Sequence, residues 1–199
     1  MSDTTALEEF KKKLRGFATG EQRGIRNPFV VVPVAPEFEW KITRRMEAWA
    51  EEEHDQVHVV TVRLDRLMPR TPVFETVGAL PTNAYPKRSP EPTRLVEETL
   101  RQNLDRELIE LLLKDHPEVR QPEQPLILVL LNLGALYPFA RASRLLDELD
   151  RRGVRAAVGI PFPGEMVAGG KMSFFGEEAT HYYPAHQIEG QVDEAELQR

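Results

Sequence analysis

Leu126-Ile127-Leu128-Val129-Leu130-Leu131-Asn132-Leu133-Gly134 leads through Tyr137-Pro138-Phe139-Ala140-Arg141 into a helical interval, and a second apolar run from Val154 closes in Ile160-Pro161-Phe162-Pro163-Gly164. An apolar run without polar alternation describes a strand covered on both faces, as in a parallel sheet held between two helical layers. The intervening helix is expected over Phe139–Arg152, with Leu145, Leu146 and Leu149 on its buried side and Gly153 as a left-handed C-cap. Such a strand–helix–strand unit brings both strand exits to one sheet edge. In open α/β sheets that edge is where ligands and partners are usually met.

Upstream, Phe29-Val30-Val31-Val32 reads as a first strand closed by Pro33 and Pro36, and Val57–Leu64 as a second. Between them a helix is expected over Glu37–Glu53, because Phe38, Ile42, Met46 and Trp49 recur at the helical period. The three elements predict a βαβ unit with a right-handed crossover. Prolines 69, 72, 81, 86, 90 and 92 forbid a continuous helix and predict a Pro-rich, partly ordered surface excursion over residues 68–92. A long helix follows over Thr93–Asp115, with Val96, Leu100, Leu104 and Leu108 on one face. Residues 1–27 read as an N-terminal helix and linker, carried by Leu7, Phe10, Leu14 and Phe17, with Lys11, Lys12, Lys13 and Arg15 on or beside the solvated face. The segments around Phe174 and Tyr182 are candidate antiparallel edge strands, with Gly169-Gly170 as the preceding turn. Residues 189–199 are expected to be a mobile polar tail.

The expected fold class is therefore α/β. Residues 1–188 form a single Rossmann-like three-layer domain, with a mostly parallel sheet of about four to five strands flanked by helices and room for an antiparallel edge strand.

A net charge of −6 over 199 residues is the wrong sign for a protein built to neutralise phosphates, so direct nucleic-acid binding is not expected. The chain has no cysteine, which removes disulfides, thiolate nucleophiles and Cys-based metal sites and suits a reducing cytoplasm. Met1-Ser2-Asp3-Thr4-Thr5 lacks a leader's charged and apolar regions. No apolar run approaches the roughly 20 residues that span a bilayer. A cytoplasmic protein without membrane contact is expected.

The familiar catalytic patterns fail one by one. From Gly164 to Lys171 the spacing is one residue too long for a phosphate loop, and Met172 stands where a hydroxyl is needed. A hairpin is the better reading there. Pro33-Val34-Ala35-Pro36 offers no glycine-rich approach to pyrophosphate. His54 and His58 do not share a helix, and His181 and His186, near Glu177 and Glu178, fall on opposite faces of a strand. Ser143 lies in no nucleophile elbow. A non-enzymatic protein without cofactor or metal is expected. What remains is surface: Tyr137, Pro138, Arg141, Phe162, Tyr182 and Tyr183 are the candidate partner-binding residues, since Tyr and Arg combine large contact area with a polar handle. Phe139 and Phe175 read as core packing.

These same residues carry a resemblance. Leu133-Gly134-Ala135-Leu136-Tyr137-Pro138-Phe139-Ala140-Arg141-Ala142-Ser143-Arg144-Leu145-Leu146, then Phe162-Pro163-Gly164, Phe174-Phe175-Gly176 and Tyr182-Tyr183, resemble the C-terminal half of the BrxB family, a core component of bacterial BREX bacteriophage-exclusion systems. Asn27-Pro28-Phe29-Val30-Val31-Val32 fits the N-terminal half more loosely. The chain departs from the family pattern where Ser143 replaces a histidine, where Pro184 and His186 replace an arginine and a phenylalanine, and where only Gly134 remains of a glycine-rich turn. The resemblance implies a small defence protein acting beside a BrxC-like ATPase, a PglZ-like phosphatase-fold protein and a DNA methyltransferase. It further implies an adaptor that docks one of them, the PglZ-like protein first. Two rival readings stand beside it. One is a degenerate nucleotide-binding or nuclease-like domain with a ligand near Gly134 and Gly164; the other is DNA contact through Arg23, Arg26, Arg44, Arg45, Arg151 and Arg152.

Overall fold

The computed structural model describes residues 4–22, 27–52, 54, 56–79, 91–167, 171–174, 177–178 and 185–198. In chain order the strands are β1 (Phe29–Val34), β2 (His58–Arg63), β3 (Leu126–Leu131), β4 (Ala157–Val167), β5 (Lys171–Phe174), β6 (Glu177–Glu178) and β7 (His186–Gln187). Five of them run parallel in the lateral order β2-β3-β4-β1-β7, while β5 pairs antiparallel with the far end of β4, and β6 with β5. Every residue of β1 and β3 is buried, as their unbroken apolar sequences require.

The helices are α1 (Ala6–Ala18), α2 (Glu39–Glu51), α3 (Leu64–Leu67), α4 (Pro72–Gly78), α5 (Glu91–Asp115), α6 (Ala142–Arg151) and α7 (Glu194–Gln198). After β1 the chain crosses to β2 at the far edge, then steps back through β3 to β4. With crossovers of a single hand, that reversal puts the connecting helices on opposite faces. Phe10 and Leu14 of α1 and Ile42, Met46 and Trp49 of α2 accordingly pack on Val30, Val32, Ile127 and Val129. On the other face Leu104, Leu108 and Leu112 of α5 and Leu145 and Leu149 of α6 pack on Phe29, Val31, Leu128, Leu130, Val158 and Ile160. At Gly159 the first face closes tightly: a Cβ there would lie 2.7 Å from both Leu14 and Phe10. The α/β sandwich is the one expected. β1, α2 and β2 form the expected βαβ crossover between parallel strands, with β3 and β4 lying between them in the sheet. Spacing along the chain says nothing about which strands become neighbours.

Several boundaries differ for identifiable reasons. The strand expected to end at Ile160 continues through Pro161 and Pro163 to Val167. Val158 N donates to Pro28 O at 2.9 Å, so even-numbered residues of β4 face β1 and odd-numbered ones face β3. Pro161 and Pro163 therefore place their missing donors on the β3 side, beyond the last pair with that strand, Val129↔Gly159. The helix expected from Phe139 begins at Ala142. The amides of Phe139 and Ala140 both donate to Leu136 O, at 2.8 and 3.0 Å, closing a turn that follows a short 3-10 segment over Leu133–Leu136. Within the Pro-rich excursion the chain forms a 3-10 turn over Met68–Arg70 and the helix α4. Pro72 opens α4, where a proline costs no hydrogen bond, and the Thr71 hydroxyl accepts from Phe74 N. Residues 80–90 lie outside the described residues, as do Gly169-Gly170.

The expected mobile tail is also corrected. Ile188 and Val192 are buried, Val192 N donates to Pro33 O at 2.9 Å, and α7 follows on the α1–α2 face. Glu196 accepts from Leu7 N at 2.8 Å, one of the unpaired donors at the start of α1, and Glu194 pairs with Lys41. These residues close the sheet beside β1.

Candidate functional site

The loops leaving β1 and β3 meet above the end of β4, and one carboxylate joins them. Glu39 opens α2 and its Oε1 accepts from Gly134 N at 2.7 Å. A side chain at position 134 would collide with that carboxylate, which explains the glycine. Burial pushes the Glu39 carboxyl above its usual range, the Gly134 N–H pulls it back, and Asp65 adds to the rise. Next to it Asn132 takes the left-handed conformation at φ 59°. Its Oδ1 accepts from the Thr43 hydroxyl, which also lies 2.8 Å from Glu39 O. The group fixes where the chain emerges from β3. Sequence reasoning singled out neither Asn132 nor Glu39 for this role, although an isolated glycine just past a strand was a visible signal.

From that anchor the chain passes through a cis Tyr137–Pro138 peptide to Arg141, the N-cap of α6. Tyr137 is 36% exposed, and Pro138 and Arg141 are exposed beside it, whereas Phe139 packs against the core as expected. A hollow of about 360 Å³ opens here, lined by Arg101 of α5 and by Pro138, Phe139, Arg141, Ser143 and Arg144. Arg144 is tethered. Its Nε lies 3.2 Å from Asp105 Oδ2, and its Nη1 donates to Arg101 O at 2.7 Å. Asp105 is 7% exposed. Burial lifts its carboxyl to about 6; Arg144 opposes the rise, Glu148 adds to it, and the Arg141 backbone N–H opposes it. Glu148 is itself held by Arg151 at 2.9 Å and Arg152 at 2.8 Å. The guanidinium groups of Arg101 and Arg141 have no carboxylate partner among the described residues.

The remaining candidates separate. Phe162 is corrected: at 1% exposure it belongs to the α5–α6 core, because even-numbered residues of β4 point into that layer, so it offers no ring to a partner. Tyr182 and Tyr183 lie outside the described residues, as do Phe175, His181, Arg23 and Arg26. Gly164 and Lys171 sit on the antiparallel pair β4–β5. Gly164 lets the backbone of Ser173 approach, a structural reason for the glycine. His54 bonds Trp49 O at 2.8 Å and His186 packs on Phe17, with ring centroids 4.9 Å apart. Arg44 and Arg45 of α2 lie on the opposite face of the sheet from Arg151 and Arg152 of α6. The fold does not gather them into one basic surface. No described helix is long and apolar enough to cross a membrane.

The protein-family model described as BREX protein BrxB matches residues 82–188, more than half of the chain. The match contains the Glu39-bound loop at Gly134 and every residue lining the arginine hollow. No curated protein and no solved structure matches the chain.

Proposed function

The chain belongs to the BrxB family, a component of BREX phage-defence systems, and from that premise we propose that it is a non-catalytic adaptor docking onto a larger partner of the system. The PglZ-like protein is the first candidate partner, ahead of the BrxC-like ATPase and the methyltransferase complex. One observation carries this reading. Tyr137, Pro138 and Arg141 stand together in solvent on a loop pinned by Glu39, beside an arginine-lined hollow and inside the family-matched stretch. A tyrosine and an arginine on a rigid loop give large contact area at little ordering cost, which is what interface anchors need. Tyr182 and Tyr183 are proposed as further contacts on sequence grounds alone.

Co-purification tests the proposal. The tagged protein, expressed with the other BREX components, is expected to retain the PglZ-like partner. Tyr137→Ala or Arg141→Glu should weaken that retention by about tenfold or more, the scale of a single anchor residue. Undiminished complexes with both folded variants would move the docking surface elsewhere.

A further inference from the structure

We propose that the hollow between α5 and α6 is a binding site for the dianionic phosphate of a phosphomonoester, a ligand site that shares Pro138 and Arg141, but not Tyr137, with the proposed docking surface. Three arginines line it, Arg101, Arg141 and Arg144. Among the described residues one carboxylate answers them: Asp105, beneath the rim, holds Arg144 at 3.2 Å. About two positive charges are left over in a protein whose net charge is −6. That surplus decides the ligand. A carboxylate or a phosphodiester brings one negative charge and leaves an arginine unmatched, while a phosphomonoester brings about 1.5 to 2 at neutral pH. Planar guanidinium forks also match phosphate oxygens in pairs. No acidic residue stands in the first turn of α6 to compete for the arginines. The volume of about 360 Å³ exceeds what a phosphate alone fills, and Pro138 and Phe139 supply an apolar wall for the organic body attached to it. The monoester can come from a free nucleotide or from the phosphorylated end of a nucleic-acid strand, and the same contacts serve both.

Calorimetry on the full chain at low ionic strength separates the outcomes, using AMP, adenosine, and a short single strand bearing either a 5′-phosphate or a 5′-hydroxyl. Saturable one-site binding of AMP but not adenosine supports the site with a free nucleotide as the source. Binding of the 5′-phosphate strand but neither AMP nor the 5′-hydroxyl strand supports it with a strand end. In either case Arg101→Glu should weaken binding about tenfold or more. The Arg101 side chain is exposed, so this variant should keep the wild-type melting profile. Tyr137→Ala, which does not line the hollow, should bind the probe normally even where it fails to dock a partner. The proposal is overturned if no phosphate-bearing probe gives saturable heat up to about 10 mM, the weak end of specific binding. It is equally overturned if adenosine binds as well as AMP, or if Arg101→Glu and Arg141→Glu bind like the wild type.

Discussion

Asp105 couples the two helices of the arginine cluster, because it sits on α5 and receives Arg144 and the Arg141 backbone N–H from the start of α6. Burial raises its pKa from 3.8 to about 6, so the folded state holds the Asp105 proton more tightly than the unfolded chain does. The stabilisation from that proton is fully present below pH of about 4 and is lost as the pH rises through about 6. Asn at this position keeps the shape and cannot titrate. The melting temperature of the wild type relative to Asp105→Asn should therefore fall between pH of about 4 and about 6.5 and then level off. Thermal melts of both proteins across that range check it, and a difference independent of pH would show that Asp105 titrates normally. None of this was legible beforehand. Asp105 lies on a helix whose sequence advertises only leucines, and a buried acid there looks like any other charge on a solvated face.

Elements whose pattern is carried by many residues could be read from the sequence, and those carried by a few could not. β3 and α5 appear where unbroken or helically spaced apolar residues put them. β4 runs on through two prolines because its neighbour β3 has already stopped pairing, a fact about another strand that the prolines do not reveal. The C-terminal segment differs from its expected mobile state for a similar reason. Only Ile188 and Val192 carry its docking, spread among polar residues, so its composition resembles a tail. Val192 is 1% exposed and sits beside Val34. Val192→Ala should destabilise the protein by about 1 to 3 kcal/mol, the cost of deleting buried methyl groups. Urea unfolding measures this; an unchanged midpoint would restore the mobile tail.

For the whole molecule, the layered α/β architecture followed from the alternation of strands and helices, and the exit of β3 does carry the exposed Tyr137-Pro138 loop. Lateral strand order and the arginine hollow did not follow. Arg101 reaches Arg141 and Arg144 only because α5 and α6 pack side by side on one face, a juxtaposition that no spacing in the sequence encodes. Under the proposed adaptor reading, the fully buried strands β1 and β3 serve as the scaffold, and the exposed Tyr137 and the neighbouring arginines are the surface offered to a partner. Site-specific photo-crosslinking tests that claim most directly, with a benzoyl-phenylalanine placed at Tyr137 and, as a control, at Glu123, which is exposed before β3 at the opposite end of the sheet. With the other BREX components present, the probe at position 137 should trap the PglZ-like partner while the probe at position 123 traps nothing. A partner adduct at 123 with none at 137 would contradict the account.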